Sequence, residues 1–569
     1  MKLNGIVAPT VLPYRREWLT KDIVAGLVLT ALLVPQGMAY AELAGLPAVT
    51  GLYTSILCLT GYALLGPSKV LVLGPDSSLG PMIAATILPL VGAGGDPARA
   101  VLLASALAIL VGLFMLGAAA GHLGFVADLL SKPTIVGYMN GLALTILVGQ
   151  IPKLLGFSVD ADSFLAECWA VIQGVLNGEV VAAAAAIGLF SLALILVLTR
   201  TVPKIPAVLV AVVVAILISV VLDLESKGVK VVGALPQGLP SFTLPKVGLS
   251  DLGLLLAGAA GITLVALADT ISTATSFAER RGERVDGNRE MVGIGAANIA
   301  AGLFQGFPVS TSGSRTAVAE QSGARTQLAG LTGAITIAVM LLAFPAILAD
   351  LPQPTLGALV IAASLSLTDV PGMFRLRRQR RADFFVSLAA FLGVALLGVL
   401  PGILIAILIS VADVFRRVWM PHRTTLGSTE GLPGLHDVTT HTHAVVLPRC
   451  PVYRFDAPLI FANAQTFRGD VQAFAIADPK PDWIVVAAEP ISDVDTTACD
   501  MLERLTAALE QQGIRLVFAE LNGGVLAKMR AFGLDHVDDE EYVQPSLNAA
   551  LRAYAESHPF ESGLRGDAG

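Results

Sequence analysis

Charge is scarce in this chain. Of 569 residues only 14% are Asp, Glu, Lys or Arg, while 54% are hydrophobic and the mean hydropathy is +0.73. Those proportions exclude an ordinary soluble enzyme of this length. Cysteine is scarce too: Cys58, Cys168, Cys450 and Cys499 are scattered without CxxC spacing, which argues against a disulfide framework or a cysteine metal site. His441 and His443 read as part of a polar linker, so no metal is expected. The net charge of −7 argues against nucleic acid as a partner. No small-residue cleavage site follows the first apolar run, so it does not read as a removable signal peptide.

Long apolar runs are abundant. From Asp22 to about Val418 they succeed one another, as in IVAGLVLTALLV and IPAVLVAVVVAILISVVL. A membrane helix needs about 20 apolar residues, and roughly twelve to fourteen such runs occur, several broken by Gly or Pro. The reading is a polytopic α-helical membrane protein, with the lipid bilayer as its solvent. Basic residues cluster at Arg15, Arg16 and Lys21, at Arg280, Arg281 and Arg284, at Arg375, Arg377, Arg378, Arg380 and Arg381, and at Arg416 and Arg417. The positive-inside rule puts them all in the cytoplasm. Both termini are then cytoplasmic, the span count is even, and a multi-pass protein of the cytoplasmic (inner) membrane is expected. After Arg423 charge and alternation return, as in a soluble domain. The expected organisation is an N-terminal segment 1–21, a transmembrane domain 22–418, a linker 419–440, an α/β domain 441–557 and a tail 558–569.

Two apolar runs are interrupted by proline followed by hydroxyl residues. Aligned on proline they read Pro75-Asp76-Ser77-Ser78-Leu79-Gly80 and Pro308-Val309-Ser310-Thr311-Ser312-Gly313, an offset of 308 − 75 = 233. At that offset Gln36 and Tyr40 fall opposite Asp269 and Thr273, each pair spaced to share one helix face. Lys132-Pro133-Thr134 similarly matches Gln353-Pro354-Thr355. The pattern predicts two repeats, roughly 22–223 and 249–418. An odd number of spans in each makes them inverted, and seven plus seven gives about 14 segments. Interrupted segments at corresponding places of two repeats point to a secondary transporter's binding site.

A helix that begins at the midplane leaves its first N–H groups and positive dipole end unpaired there, a ready anion site. Ser77, Ser78, Ser310, Thr311, Ser312 and Ser314 lie where the two half-helices would begin. Arg315 is expensive at that depth, about 2.5–3.5 kcal/mol on insertion scales, and such a residue is functional or paired. It is expected to attract substrate with Asp269 as the nearby titratable, coupling group; an Arg315–Asp269 ion pair holding helices together is the structural alternative. Glu42 is expected in a solvated interfacial position, and Asn140 and Asn298 are expected to bond between helices.

The stretch DIVAGLVLTALLVPQGMAYAELAGLPAVTGLYTSILCLTGYALLGPSK resembles the signature region of the sulfate permease (SulP) family, which includes bacterial relatives of the mammalian solute-carrier anion exchangers and prestin. GFPVSTSGSRTAVAEQSGARTQL resembles its tenth-segment motif, arginine included. The resemblance implies a seven-plus-seven inverted repeat divided into core and gate, elevator-like transport and a homodimer. Carried over, it implies a substrate site of Gln36, Tyr40, Ser77, Ser78, Asp269, Thr273, Ser312, Gly313, Ser314 and Arg315. Sodium-coupled bicarbonate members lack the arginine, so Arg315 speaks against sodium coupling; a co-transported proton is expected, with sodium the alternative. No other cofactor is implied.

In the tail, CPVYRFDAPLIFANA and DWIVVAAEP read as strands, a helix carries Met501, Leu502, Leu505 and Leu509, and another strand follows. This α/β pattern resembles the STAS domain, which implies a regulatory or assembly role and a cytoplasmic regulator. Asp495-Thr496-Thr497-Ala498 stands where relatives carry a phosphorylated serine; Thr496 is the candidate for regulatory phosphorylation, or else simply caps the helix. The expected function is secondary transport of an oxyanion, sulfate first, with bicarbonate or a dicarboxylate as alternative substrates. A passive channel, a membrane sensor and a nucleobase transporter are the competing classes.

Overall fold

The computed structural model describes residues 10, 14–92, 95–122, 131–159, 161, 163–202, 206–534, 539 and 541–558. Most of the expected N-terminal segment before Tyr14, and the expected tail beyond His558, lie outside them. The chain divides into two compact units, Met1–Ser410 and Val411–Gly569.

The first unit repeats its own order of elements. Its first half runs α1 (Leu19–Leu43), α2 (Ala48–Leu65), β1 (Leu73–Gly74), α3 (Gly80–Val91), α4 (Pro97–Ala120), α5 (Lys132–Leu155), α6 (Phe164–Leu176), α7 (Ala182–Thr201) and α8 (Ala207–Leu222). The second half runs α9 (Leu249–Glu279), α10 (Gly287–Leu303), β2 (Ser310–Thr311), α11 (Gly313–Gln321), α12 (Leu328–Ala343), α13 (Gln353–Leu367), α14 (Val370–Gln379), α15 (Arg381–Leu397) and the start of α16 (Val399–Trp419), whose residues from Val411 fall in the second unit. Each half is two helices, a two-residue strand, a short helix, two helices, a short connecting helix and two more helices. Setting aside α6 and α14 leaves seven segments per half. Among the described residues seven helices are long and apolar enough to cross a membrane, and α3, α6, α8 and α12 are apolar but shorter.

Several landmarks fix the correspondence. α5 begins at Lys132 and α13 at Gln353, the two matched Pro-Thr sites, where proline's missing N–H costs nothing in the first turn. The half-helices α3 and α11 begin at Gly80 and Gly313, 313 − 80 = 233 apart. They are about 18 and about 14 Å long at 1.5 Å per residue, half a membrane at most. The strands do not keep that offset, since 310 − 73 = 237. Pro75 follows its strand whereas Pro308 precedes its own, so the connection into α3 is longer than the single residue leading into α11.

Packing obeys the same pseudo-symmetry. α1 packs on α12 and its counterpart α9 on α4; α2 packs on α12 and α10 on α4; α5 packs on α15 and α13 on α7. Two bundles result: a core of α1–α4 with α9–α12, and a gate of α5–α8 with α13–α15, met mainly by α1 against α13 and α8. Close approach depends on small residues, as it must where lipid gives no hydrophobic drive between helices. A Cβ on Gly51 would lie 1.9 Å from the Gly37 carbonyl oxygen, and one on Gly137 would lie 2.0 Å from that of Ser387.

The asparagines serve backbone outside the helices. Asn298 Oδ1 accepts from Val309 N at 2.9 Å and pins the approach to β2, while Asn140 Oδ1 accepts from Asp369 N at 2.9 Å.

The second unit is a six-stranded sheet ordered β4-β3-β5-β6-β7-β8. Its elements are β3 (Arg423–Thr429), β4 (Leu432–Asp437), β5 (Val452–Phe455), α17 (Ala464–Ala475), β6 (Trp483–Ala487), α18 (Thr496–Glu510), β7 (Arg515–Ala519), α19 (Gly523–Ala531), β8 (Val543–Gln544) and α20 (Leu547–Ser557). β5 to β8 are parallel, and the β3–β4 hairpin adds antiparallel strands. The expected linker 419–440 is therefore not a linker: β3 pairs with β5 from Arg423 to Leu426 and belongs to the sheet. Strand β6 is buried on both faces, as its uninterrupted apolar run requires.

Candidate functional site

The two half-helices are brought together by their strands. β1 and β2 pair antiparallel, Leu73 opposite Thr311 and Gly74 opposite Ser310. This joins the repeats and sets the N-termini of α3 and α11 at one place, a geometry no local sequence signal specifies.

Arg315 lies in the first turn of α11 and is 1% exposed. Its Nη1 donates to the Pro75 carbonyl oxygen of the other repeat at 2.6 Å. A Cβ on Gly74 would come within 3.1 Å of that nitrogen, so glycine keeps the passage open. Arg315 Nη2 is 3.6 Å from Asp76 Oδ2, an ion pair too long for a hydrogen bond. Nε and Nη2 are buried and have no hydrogen-bond partner among the described residues. A buried donor left unmade costs about 1–3 kcal/mol, and more when charged. These two N–H groups form the guanidinium edge that matches the oxygens of a carboxylate or oxyanion.

The structural alternative, an Arg315–Asp269 ion pair, is not what the structure shows: the carboxylate paired with Arg315 is Asp76. Asp76 was visible in the Pro75 motif, but beside two serines it reads as an ordinary turn residue. Its Oδ1 accepts from Ser78 N at 2.9 Å and Ser78 Oγ at 2.7 Å. Asp269, on α9, is reached through the same serine, Ser78 Oγ lying 3.2 Å from Asp269 Oδ2. Tyr40, on α1, is buried beside Ser77. On the α11 side Ser312 caps the helix through Arg315 N at 3.5 Å and lies 3.1 Å from Ser314 Oγ. Gly313 and Ser314 are exposed.

Not every expected residue joins this cluster. Ser310 and Thr311 are buried in the strand arm, Thr311 Oγ1 bonding Thr270 Oγ1 at 3.2 Å. Gln36 and Thr273 are half-buried one turn from Tyr40 and Asp269 respectively. A cavity of about 70 Å³ opens beside Asp269, lined also by Ala268 and Ser272 of α9 and by Ile135, Tyr138 and Met139 of α5. It lies between core and gate. Larger cavities, about 240 and about 420 Å³, lie elsewhere and share Lys153 and Gln353. There Glu42, near the end of α1, lines the larger cavity and is ion-paired with Lys153 of α5.

In the second unit, Asp495 and not Thr496 caps α18, accepting from Ala498 N at 2.8 Å. Thr496 is exposed at the first helical position.

Paired repeats, two half-helices facing through crossed strands, and an arginine buried between them define an inverted-repeat membrane transporter. The sulfate permease family matches residues 19–390 and the STAS domain matches residues 441–550. The chain belongs to the sulfate permease family and is an anion transporter. A protein named Probable sulfate transporter, from Mycobacterium tuberculosis, is 40% identical over 544 residues, 95% of this chain and 96% of that protein. Solute carrier family 26 member 6 of Homo sapiens is 33% identical over 473 residues, 79% of this chain and 62% of that protein. The structure of the murine Solute Carrier 26 family member A9 anion transporter, in the inward-facing state, matches with a TM-score of 0.89 at 23% identity, covering 98% of this chain and 94% of that one. The transmembrane domain of the cyanobacterial bicarbonate transporter BicA matches with a TM-score of 0.59 at 23% identity, covering 70% of this chain and 98% of that one. These two likenesses establish the fold.

Proposed function

We propose that this protein is a secondary active transporter that carries a small inorganic oxyanion, sulfate first, across the cytoplasmic membrane together with a proton. The observation that carries the reading is the Nε/Nη2 edge of Arg315, buried between two half-helix N-termini and without hydrogen-bond partners among the described residues. A tetrahedral dianion offers two oxygens to that edge and others to the α3 and α11 amides and to Ser77, Ser78, Ser312 and Ser314. Gln36, Tyr40, Thr273 and Gly313 complete its surroundings, and Asp269 is the coupling group. The sulfate transporters among the relatives support the choice of substrate.

The core bundle, which holds the site, moves against the gate in an elevator-type cycle within a homodimer whose termini are cytoplasmic. The α/β domain serves regulation, through a partner or through phosphorylation at Thr496. Purified protein in liposomes tests the reading. Labelled sulfate, bicarbonate and fumarate are offered with and without an inward proton gradient, and with and without sodium. Proton-stimulated accumulation of sulfate supports it. Sodium-dependent bicarbonate uptake replaces it with the bicarbonate alternative, and strictly downhill flux with a channel.

A further inference from the structure

We infer that Asp76 is the internal anion that yields Arg315 to the substrate, and that it does so by taking a proton relayed from Asp269 through Ser78. The inference deepens the functional reading above and rests on it.

Distances separate this pair from a structural one. A carboxylate that only neutralises a buried arginine closes to hydrogen-bond contact, about 2.7–2.9 Å, often through both oxygens. Asp76 Oδ2 instead stands 3.6 Å from Arg315 Nη2, and both donors of that edge go unused. Asp76 is held back by its other oxygen, which accepts twice from Ser78. It is near enough to balance the charge and too far to occupy the donors. A substrate oxygen can take those donors only if Asp76 gives up its claim on the cation.

Counting protons leads to Asp269. Ser78 Oγ lies 2.7 Å from Asp76 Oδ1 and 3.2 Å from Asp269 Oδ2. A hydroxyl has one proton to donate. If it goes to Asp76, the nearer acceptor, the contact with Asp269 is a hydrogen bond only when Asp269 supplies the hydrogen. The cluster thus has the geometry of two carboxylates sharing one proton across a serine. In the relay the Asp269 O–H bond breaks as a new Ser78 O–H bond forms, and the former Ser78 O–H bond breaks as an Asp76 O–H bond forms. Nothing is oxidised, and no other reactant is needed.

The charged and titratable groups within electrostatic reach of this cluster are Tyr40 from α1, Cys58 from α2, Tyr138 from α5, Asp269 from α9 and Arg315 from α11. Arg315 is the one cation among these groups. Two ionised carboxylates around it leave one negative charge in excess, which repels a dianion; one added proton restores neutrality. Substrate entry and protonation are linked for that reason.

The test uses full-length protein, sulfate as probe, and the Asp76→Asn and Ser78→Ala variants. Wild type should bind sulfate about tenfold more tightly for each pH unit lowered, as linkage to one proton requires. Asp76→Asn should bind with an affinity indifferent to pH, lose proton-driven accumulation and keep sulfate–sulfate exchange. Ser78→Ala removes the relay hydroxyl together with one of the substrate's donors, so sulfate binding should weaken at every pH, while proton-driven uptake should fall further than sulfate–sulfate exchange, because only the former needs the relay. Folding is checked by monodispersity and thermal melting; if Asp76→Asn fails, Ser78→Ala decides. Variants that retain the wild-type pH profile overturn the inference and leave the functional reading standing. A folded Asp76→Asn that loses exchange as well makes Asp76 a structural partner and also overturns it. Wild type that moves no oxyanion under any gradient overturns the functional reading and the inference together.

Discussion

The ion pair between Glu42 on α1 and Lys153 on α5 joins the core bundle to the gate bundle, with side chains 12% and 25% exposed. Surface pairs contribute about 0.2–1 kcal/mol, whereas breaking a fully buried pair costs about 3–5 kcal/mol. This half-buried pair falls between. Glu42→Gln and Lys153→Met should each lower thermal stability, and the double variant should lose less than their sum. A double-mutant cycle with coupling near zero would make the contact incidental.

Glycine contacts make a sharper contrast. Gly51→Ala places a methyl 1.9 Å from backbone, where neither helix can yield. Overpacking typically costs about 1–3 kcal/mol, and a backbone collision should reach or exceed the top of that range. Gly117, in the last turn of α4 with nothing within 4 Å of an added Cβ, should respond oppositely. Gly117→Ala should stabilise by about 0.5–1 kcal/mol. Melting curves of both variants in one detergent decide the point, and similar shifts would contradict the packing.

The repeats were legible where their signal is local. Proline in the first turn marked the helix starts at Lys132, Gln353 and Gly80, because its ring fixes φ and its missing N–H costs nothing there, and the matching Pro-hydroxyl motif marked Gly313. The partners of Arg315 were not legible. Pro75 is 240 residues away, and the strands that bring it near are two residues long, too short for any pattern. The partner of Glu42 was not legible for the same reason, since Lys153 lies on a helix 111 residues on. In the tail, the parallel strands β5, β6 and β7 stand out as apolar runs, but β8 is two residues long and the β3–β4 hairpin lies in a polar stretch. Its Thr, Gly and Ser residues read as linker until a neighbouring strand is supplied.

Thiol reactivity separates the four cysteines. Burial, with Asp482 nearby, pushes the Cys450 thiol up to about 12, and burial with Asp495 and Asp500 pushes Cys499 to about 11. Cys58 is fully buried in the membrane unit, and Cys168 on α6 is half-exposed. Since the thiolate is the nucleophile, native protein near neutral pH should take one maleimide, at Cys168, and denatured protein four. Labelling of Cys450 or Cys499 in the native state would contradict the packing of the sheet.

Asp437, at the end of β4, accepts from Thr424 Oγ1 at 2.6 Å and from Thr439 Oγ1 and N at 2.6 and 2.7 Å. These bonds hold its carboxyl well below the usual carboxylate range. A depressed folded value means its contribution is present above the unfolded value of about 4 and is lost as pH falls from there toward the folded one. Asp437→Asn should therefore speed amide exchange in the β3–β4 hairpin at neutral pH, with the difference shrinking in acid. Equal exchange at neutral pH would contradict this.

The central claim is that Arg315 offers its free edge to the transported oxyanion. The most direct measurement is sulfate uptake into liposomes by wild type, Arg315→Lys and Arg315→Ala under an inward proton gradient. Lysine keeps the charge and loses the planar fork, so it should retain part of the function. Losing charge and fork together removes roughly 3 kcal/mol of charge-assisted bonding, about a hundredfold in uptake at low sulfate. The account predicts the order wild type, lysine, alanine, with alanine near background. Uptake by Arg315→Ala equal to wild type, with either sulfate or bicarbonate as the substrate moved, would contradict it.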